Sequence, residues 1–414
     1  MSISIKKRSN CRLCSSNKLY KVVKLPKTIP GEHLIVKNQI NTIELIGIDL
    51  YQCSDCFHVQ ICDIPSPDLL WGKNYTFISS MNSEILDHFK KIVKYLKNNV
   101  KKINFAFEIG SNDGSFLKEI EFIFKCNVLG IDPSKQPIQI AKKNSIPTIK
   151  DYFNYKKSIK LKRKYGSPDL VIANNVFAHM DDLQDFTRGI SNLLNNKGYF
   201  VFEISYLPDV LEKQLIGTII HEHLSMHSVL SLQPFLAKHN LFLKNIKHVR
   251  SIQGGALIGV AQKLDKPIKH SKDVKKFMIY ETKMNLNSLI GMSKFNDLLN
   301  MKLKKLFKKI IKIPKEYKYI GYGAARSAPL IIDLLKIRKK LLYIIDDHPY
   351  KKNKFLHSNL IPIQSLSKHK SNKNKYVYFI FGWAQTPKII NIIKTFDKNC
   401  FIVTVYPEFE LIKI

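Results

Sequence analysis

The chain contains no apolar segment long enough to cross a bilayer as a helix. Its longest apolar runs, VYFIF and PLIIDLL, fall far short of the roughly 18 residues that a span needs. The N-terminus, MSISIKKRSNC, is charged but lacks the apolar core of a signal peptide. Low-complexity linkers and internal repeats are also absent from the sequence. We therefore expect a folded, globular protein in the cytoplasm, without a membrane span.

Acidic residues are scarce, with 33 Asp and Glu against 67 Lys and Arg, which gives a formal net charge of +34. Such basicity can indicate a nucleic acid, an anionic lipid or a polyanionic substrate. The lysines are spread through every segment, however, and no compact stretch interleaves basic residues with base-stacking aromatics. We expect no specific nucleic acid partner and keep a zinc-ribbon nucleic-acid binder as the less favoured alternative. An acidic ligand such as a nucleotide would be attracted.

A chain of 414 residues that is 45% hydrophobic can bury two or three cores. The segments AFEIG, NVLGID, PDLVIAN and GYFVFEIS predict buried parallel strands, each followed by a helical stretch. A second β/α run begins at KYIGYG and continues through LLYIID, YVYFIF and CFIVTVY. The fold class is therefore α/β, with a cysteine-rich domain over 1–70, a Rossmann-like domain over 71–265, and a lysine-rich helical connector with a second Rossmann-like domain over 266–414. We expect the apolar stripe of the connector to pack on its neighbours.

Two C-x2-C motifs, CRLC and CSDC, contain Cys11, Cys14, Cys53 and Cys56. Four thiolates in two such knuckles form the tetrahedral set that structural zinc prefers. Disulfides are the alternative, which the expected cytoplasmic location disfavours. The sequence predicts a structural zinc site without an open position for catalysis.

The segment FEIGSNDGSFL comes directly after a predicted strand and opens a helix. Glu108, Gly110 and Gly114 form the pattern E-x-G-x-x-x-G, and small residues let the backbone approach a ligand. Asp132 ends the next strand, where an acidic residue accepts the ribose hydroxyls of an adenosine ligand. The loop is not the G-x-G-x-x-G of NAD sites, and the following ANNVFAH and G-x-x-x-x-E segments are typical of S-adenosylmethionine-dependent methyltransferases. The alternative, glycines that serve only a tight turn, leaves Asp132 unexplained.

The segment HEHLSMHS, residues 221–228, contains three histidines and a glutamate. The i,i+2 spacing of His221 and His223 places both on one face of a strand but points them apart on a helix. It is not the i,i+4 pair of a helical zinc protease. A metal cluster, a general base with its partner, and a polar loop all remain open from this stretch alone.

Taken in order, the motifs resemble one family, the nucleotide-sugar C-methyltransferases that methylate C3 of a 4-keto deoxysugar. The likeness covers nearly the whole chain and comprises the two knuckles, YTFISSMNSEILDHF, EIGSNDGSFL, GIDPS, ANNVFAHMDDL, HEHLSMHS, GGALI, GYGAARSAPLI and DDHPYKKNKFLHSNLIPI. The resemblance implies S-adenosylmethionine as methyl donor, zinc on the four cysteines and a nucleotide-sugar as acceptor. The last domain would help to hold that acceptor without a dinucleotide of its own.

The resemblance also implies the site residues. The donor would be bound by Tyr75, Ser80, Glu108, Gly110, Ser111, Asn112, Asp113, Gly114, Asp132, Pro133, Asn174 and Asn175. His223 would be the base, with Glu222 beside it, because imidazole titrates near neutrality and can remove the proton that a neighbouring ketone acidifies. The alternative for His223 is a structural histidine bonded to a carbonyl. His179 could pack or take part in catalysis, whereas His221 and His227 are interpreted as structural or substrate-side.

Departures from the family pattern cluster on the acceptor side. Where the family usually has Tyr-His-Glu-His, this chain has Ile220 at the position of the tyrosine. GGALI replaces the usual Gly-Gly-Ser, and GYGAARSAP lacks the lysine that is often found in that loop. Arg326 could bind phosphate in that loop, or it could be a surface residue. Methyl transfer is therefore better supported than the acceptor, and a methyltransferase acting on oxygen or nitrogen stays as the alternative. The sequence gives no signal for an oligomeric state.

Overall fold

The computed structural model describes residues 5–30, 34–36, 44–71, 77–252, 254–269, 271–356, 360–369 and 374–414. Within these residues the strands form a two-stranded pair, a four-stranded sheet and two seven-stranded sheets. The two larger sheets belong to the two β/α runs that the sequence predicts, so the α/β fold class is confirmed.

The N-terminal part is built from short antiparallel strands and one short helix. These are β1 (Ile5–Lys7), β2 (Leu19–Val23), β3 (Leu50–Cys53), β4 (Val59–Ile61), β5 (Asp63–Pro65) and α1 (Pro67–Trp71). Strands β2, β3 and β4 pair in sequence order, and β1 pairs with β5. The first knuckle lies in the turn before β2, and the second begins at the last residue of β3 and continues into the turn before β4. This arrangement brings the four predicted zinc ligands to one end of the sheet.

The central part alternates strands and helices. Its elements are α2 (Ser83–Asn99), β6 (Phe105–Ile109), α3 (Ser115–Phe124), β7 (Asn127–Asp132), α4 (Lys135–Lys143), β8 (Thr148–Lys150), α5 (Tyr155–Tyr165), β9 (Leu170–Asn174), α6 (Leu183–Leu193), β10 (Tyr199–Ser205), α7 (Leu207–Glu212), β11 (Ser225–Met226), α8 (Val229–Ala237), β12 (Leu241–Val249) and β13 (Ala256–Lys263). The sheet order is β12-β13-β10-β9-β6-β7-β8. Strands β6 to β10 are parallel, whereas β13 is antiparallel to both of its neighbours.

The parallel strands are buried on both faces because their residues are almost continuously apolar. Strand β9, for example, has four buried residues in succession from Leu170 to Ala173. Helix α2 begins where the Asn82 side chain accepts hydrogen bonds from the first-turn N–H groups, and it buries an apolar face against the sheet. In such sheets a ligand binds outside the carboxyl ends of the strands. The ends of β6, β7, β9 and β10 are therefore where a site is expected.

Two helices, α9 (Lys272–Lys283) and α10 (Ile290–Ile310), connect this sheet to the last domain. Leu299, Leu306 and Ile310 are buried, and α10 packs against β2 and against the final strand of the chain. The prediction that the apolar stripe packs on its neighbours is confirmed. None of the helices in the described residues combines the length and apolarity required to cross a membrane.

The last domain is a second, mostly parallel sheet. Its elements are β14 (Lys318–Tyr322), α11 (Ala328–Leu334), β15 (Leu341–Ile345), β16 (Phe355–Leu356), β17 (Ile361–Gln364), β18 (Tyr376–Ile380), α12 (Thr386–Phe396), β19 (Phe401–Thr404) and β20 (Glu410–Lys413). The order is β16-β17-β15-β14-β18-β19-β20, and the two edge strands are antiparallel to their neighbours. The loop after β14 faces the central domain, as the site below shows.

Candidate active site

The turn from β6 to α3 brings backbone close to the edge of the central sheet. Gly110 has a φ of 70° and Gly114 a φ of 76°, a region that other residues rarely adopt. A Cβ at Gly110 would lie 2.4 Å from Cγ2 of Val176. The Gly110 N–H donates to the carbonyl of Ile131 at 2.7 Å, which ties the turn to β7. The glycines of the predicted loop are thus required by the backbone conformation, and Gly110 also by its close contact with Val176.

Two buried carboxylates flank this turn. Asp132 accepts hydrogen bonds from the N–H groups of Asn112 at 2.9 Å and Ser134 at 2.7 Å. Burial raises the pKa of Asp132. Burial also raises the pKa of Glu108 well above its usual value, and the charges of Asp113 and Asp132 raise it further. A carboxylate offers about four acceptor positions, so Asp132 can still accept hydroxyl groups of a ligand.

These groups line a cavity of about 200 Å³ at the carboxyl ends of the strands. Its wall contains buried acceptor atoms without a hydrogen-bond partner among the described residues, including Glu108 Oε2, Ser111 Oγ and Asn174 Oδ1. Buried polar atoms are normally paired, so these atoms fit a ligand rich in hydrogen-bond donors. The predicted donor-binding residues that line the cavity are Glu108, Gly110, Ser111, Asn112, Asp132, Pro133, Asn174 and Asn175.

Three predicted donor-binding residues lie outside the lining of the cavity: Ser80, Asp113 and Gly114. Asp113 is fully buried, and its carboxylate accepts the N–H of Ser80 at 2.8 Å and that of Ser115 at 3.2 Å. Asp113 therefore stabilises the glycine turn without lining the cavity. Ser79 lines the cavity where Ser80 was expected, whereas Ser80 is exposed. Tyr75, the remaining predicted residue, lies outside the described residues.

Three aromatic rings form a stack in the cavity wall. The rings of Trp71 and His179 are 4.7 Å apart at 24°, and those of His179 and His223 are 5.3 Å apart at 15°. Trp71 ends α1, and His179 ends the short 3-10 turn Phe177–His179 after β9. His179, which the sequence left between packing and catalysis, thus packs directly on the predicted base.

The hydrogen bond of His223 defines its tautomer. Its Nδ1 lies 2.7 Å from the Thr218 carbonyl oxygen, which can only accept, so Nδ1 donates and Nε2 is the unprotonated nitrogen. Burial lowers the pKa of His223 to about 4, and the positive charge of Arg326 also lowers it, against the effect of the Thr218 bond. The imidazole is therefore neutral near pH 7. The geometry is compatible with both hypotheses for His223, a structural histidine and a general base, because Nδ1 bonds a carbonyl while Nε2 can accept a proton.

The rest of HEHLSMHS joins the central sheet to the N-terminal one. His221 Nε2 lies 3.3 Å from the Ile46 carbonyl, and Ser225 and Met226 pair with β4. Glu222 is fully buried and is not among the residues that line the cavity. Of the two predicted catalytic residues, the structure places His223 at the cavity and Glu222 behind it.

The last domain contributes Arg326 to the cavity wall, where its guanidinium lies 5.5 Å from the centre of the Phe77 ring. This position favours a ligand-facing role for Arg326 over the surface role that the sequence left open. Ile220, which replaces the family's tyrosine, is buried and brings no hydroxyl group. Arg326 therefore brings a positive charge to the wall of the cavity, whereas Ile220 brings no polar group.

Sequence reasoning missed a buried pair at the same cavity. His88 Nε2 lies 2.7 Å from Glu203 Oε1, and both residues line the wall. His88 falls in YTFISSMNSEILDHF, a segment that carries the family likeness, whereas Glu203 is the last residue of the G-x-x-x-x-E segment GYFVFE. They are 115 residues apart, however, and only the fold brings them together.

The four predicted zinc ligands form one cluster, with their sulfur atoms all within 4.8 Å of one another. Cys11 and Cys56 are 3.4 Å apart at Sγ, and Cys14 and Cys53 are 3.5 Å apart. Tetrahedral zinc with bonds of about 2.3 Å needs sulfur atoms about 3.8 Å apart, so the donor set fits the ion. Four cysteine ligands leave no open position, as expected for a structural site.

Comparison with known proteins gives the same order of domains. Family models match residues 11–71, described as “Putative zinc binding domain”, residues 107–200, described as “Methyltransferase domain”, and residues 251–406, described as “C-methyltransferase C-terminal domain”. The C-methyltransferase NovU from Streptomyces niveus is 24% identical over 399 residues, which cover 94% of this chain and 93% of that protein.

Solved structures match less than half of the chain. The N-methyltransferase NodS from Bradyrhizobium japonicum is 13% identical with a TM-score of 0.35, and the match covers 44% of this chain and 99% of that one. Magnesium protoporphyrin IX methyltransferase from Synechocystis, solved with bound SAH, is 14% identical with a TM-score of 0.33, and covers 43% and 83% respectively.

The glycine turn, the acidic strand ends and the matched domain define an S-adenosylmethionine-dependent methyltransferase with a structural zinc site. More narrowly, the chain matches a zinc-binding domain, a methyltransferase domain and a C-methyltransferase C-terminal domain in this order, and this combination supports a C-methyltransferase.

Proposed function

We propose that this C-methyltransferase adds a methyl group to C3 of a nucleotide-linked 4-keto-deoxyhexose. The observation that carries the proposal is His223, a neutral imidazole in the cavity wall whose Nδ1 is held by the Thr218 carbonyl at 2.7 Å. Methylation of a carbon beside a ketone needs a base for one C–H proton and no metal. The zinc site, with four cysteine ligands, remains structural.

The proposed role of His223 follows from its tautomer. With Nδ1 donating to Thr218, Nε2 accepts the C3 proton, and the electron pair of the broken C–H bond passes into the enolate. The stack with His179 holds the imidazole plane, because the two rings lie within 15° of parallel. S-adenosylmethionine, when bound, supplies the electrophilic methyl group. His223 then holds the proton at Nε2 until solvent removes it.

Arg326 has two proposed effects on this reaction. Burial is the main cause that lowers the pKa of both His179 and His223, and the positive charge of Arg326 lowers it further, which keeps the base unprotonated before the acceptor arrives. The same charge can balance the oxygen of the enolate, where the family's tyrosine is replaced by Ile220. Because Arg326 belongs to the last domain, the acceptor would be held between the two Rossmann-like parts.

Hydrogen exchange at C3 tests the base separately from methyl transfer. In D2O with S-adenosylhomocysteine bound, the wild type should exchange the C3 proton of a dTDP-linked 4-keto-6-deoxyhexose, detected by NMR. His223→Asn should abolish this exchange and leave S-adenosylhomocysteine binding intact. Exchange at the wild-type rate in His223→Asn would remove His223 from this role. Absence of exchange in the wild type, with methyl transfer to oxygen or nitrogen, would support the alternative acceptor class.

A further inference from the structure

Glu203 is a buried carboxylate that the mechanism above does not use. It lies in β10 with 1% of its surface exposed, and its register partner in β9 is Asn174. Its Oε1 lies 2.7 Å from Nε2 of His88, which reaches it from α2. The hydrogen bond fixes the orientation of the carboxylate, so the direction of its second oxygen is also fixed.

That second oxygen, Oε2, is buried and has no hydrogen-bond partner among the described residues. A carboxylate oxygen kept from water without a partner is costly, and such groups in proteins are normally paired. Glu203 also lines the cavity. A ligand in the cavity can supply the missing donor.

The neighbouring strand ends carry the same kind of atom. On the adjacent strands β10, β9 and β6, three buried acceptor atoms have no hydrogen-bond partner among the described residues. They are Glu203 Oε2, Asn174 Oδ1 and Glu108 Oε2. A row of acceptors that includes two carboxyl groups suits a group with several N–H donors and a positive charge. An ammonium group has this chemistry.

This row of acceptors also lies where the amino-acid end of the methyl donor is expected. Asp132 on β7, the expected ribose ligand, is three strands from Glu203, or about 14 Å at about 4.8 Å per strand. The adenosyl end of the donor at Asp132 would direct its amino-acid end along the row toward β9 and β10.

We propose that Glu203, oriented by His88, binds the α-ammonium group of S-adenosylmethionine, with Asn174 Oδ1 as a second acceptor. Glu203 contacts the ligand directly, whereas His88 is a positioning residue. The proposal concerns the donor alone, so it stands or falls independently of the sugar acceptor.

Calorimetric titration with two ligands tests this assignment without any turnover. S-adenosylhomocysteine carries the α-ammonium group, whereas 5′-methylthioadenosine lacks the whole amino-acid portion. Glu203→Gln should raise the Kd for S-adenosylhomocysteine about 10- to 100-fold, since it removes a charge-assisted hydrogen bond. It should leave the Kd for 5′-methylthioadenosine within about twofold of the wild type.

Variants of His88 test the positioning role. His88→Leu should weaken S-adenosylhomocysteine alone, and His88→Gln, which keeps an N–H donor at similar reach, should restore most of the affinity. Glu281→Gln is the matched control, because Glu281 is equally buried but caps α8 through the N–H groups of Val229 and Leu230. It should change neither Kd. An unchanged Kd for S-adenosylhomocysteine in Glu203→Gln, or an equal loss for both ligands, would overturn the proposal.

Discussion

Arg12 and Asp181 form an ion pair, with Nη2 of Arg12 3.3 Å from Oδ1 of Asp181. Arg12 is fully buried between the two cysteines of the first knuckle, and its Nη1 donates to the Leu224 carbonyl at 3.1 Å. Asp181 lies two residues after His179, and Leu224 directly follows His223. One guanidinium group therefore links the zinc knuckle to both segments that carry the cavity histidines.

This link predicts that Arg12→Met is strongly destabilising. The change removes the side-chain donor of the Ile61 carbonyl, one of the two donors to the Leu224 carbonyl and a partner of Asp181, at a cost of about 2–4 kcal/mol in the free energy of unfolding. Urea unfolding measures this change in the free energy of unfolding. Lys18→Met is the control, because Lys18 pairs with Asp55 at the surface and its loss should be small. Equal effects of the two changes would contradict the structural role of Arg12.

Zinc removal should affect stability and turnover more than donor binding. The four sulfur ligands lie on the N-terminal sheet, whereas the glycine turn and Asp132 lie on the central sheet. A chelator should lower Tm and kcat, because Arg12 then loses its fixed position, and the Kd for S-adenosylhomocysteine should change by less than about threefold. Metal content, calorimetric titration and thermal unfolding provide the three readings. A large loss of donor affinity with an unchanged Tm would show that the metal belongs to the donor site.

Asp132→Asn should weaken the donor without unfolding the chain. The amide keeps the side-chain volume but removes the charge that strengthens hydrogen bonds to ribose hydroxyls, so the Kd for S-adenosylhomocysteine should rise about 10- to 100-fold. Asp185→Asn serves as the control, because the Asp185 side chain does not line the cavity and accepts the N–H of Tyr155 instead. A wild-type Kd in Asp132→Asn would remove Asp132 from the donor site.

The contribution of the buried histidines to stability should decrease as the pH is lowered from about 6.5 to about 4. Burial lowers the pKa of His221 to about 4 and that of His227 to about 3, so the unfolded chain binds more protons than the folded chain in this range. The contribution of these histidines to the free energy of unfolding therefore rises with pH by up to about 1.4 kcal/mol per pH unit for each histidine, and it is fully present above about pH 6.5. Urea titrations at several pH values measure the slope. His227→Phe should reduce it, and an unchanged slope would contradict the account.

The sequence was sufficient for the parts of the site that are local in the chain. The glycine turn and Asp132 could be predicted because each follows a strand whose apolar run is continuous, and parallel strands end at one edge. The cysteine cluster could be predicted from its repeated spacing. Which of two adjacent residues faces the cavity could not be predicted. Ser80 was expected to line it, whereas Ser79 does.

Contacts between distant segments could not be predicted. The pairing of His88 with Glu203 depends on how α2 crosses the sheet, and Arg326 reaches the cavity only because the last domain packs on the central one. The placement of Glu222 behind the cavity depends on the turn that precedes β11. None of these relationships leaves a periodic pattern in the sequence.

The most direct test of the central claim is the product of the reaction with S-adenosylmethionine and a panel of dTDP- and GDP-linked 4-keto-6-deoxyhexoses. Mass spectrometry and NMR should show one added methyl group on C3 with the wild type and none with His223→Ala, whose S-adenosylhomocysteine affinity should match that of the wild type. Methylation that persists in His223→Ala would contradict the base. A wild-type enzyme that binds the donor but methylates none of these sugars, or methylates their oxygen atoms, would contradict the proposed acceptor chemistry.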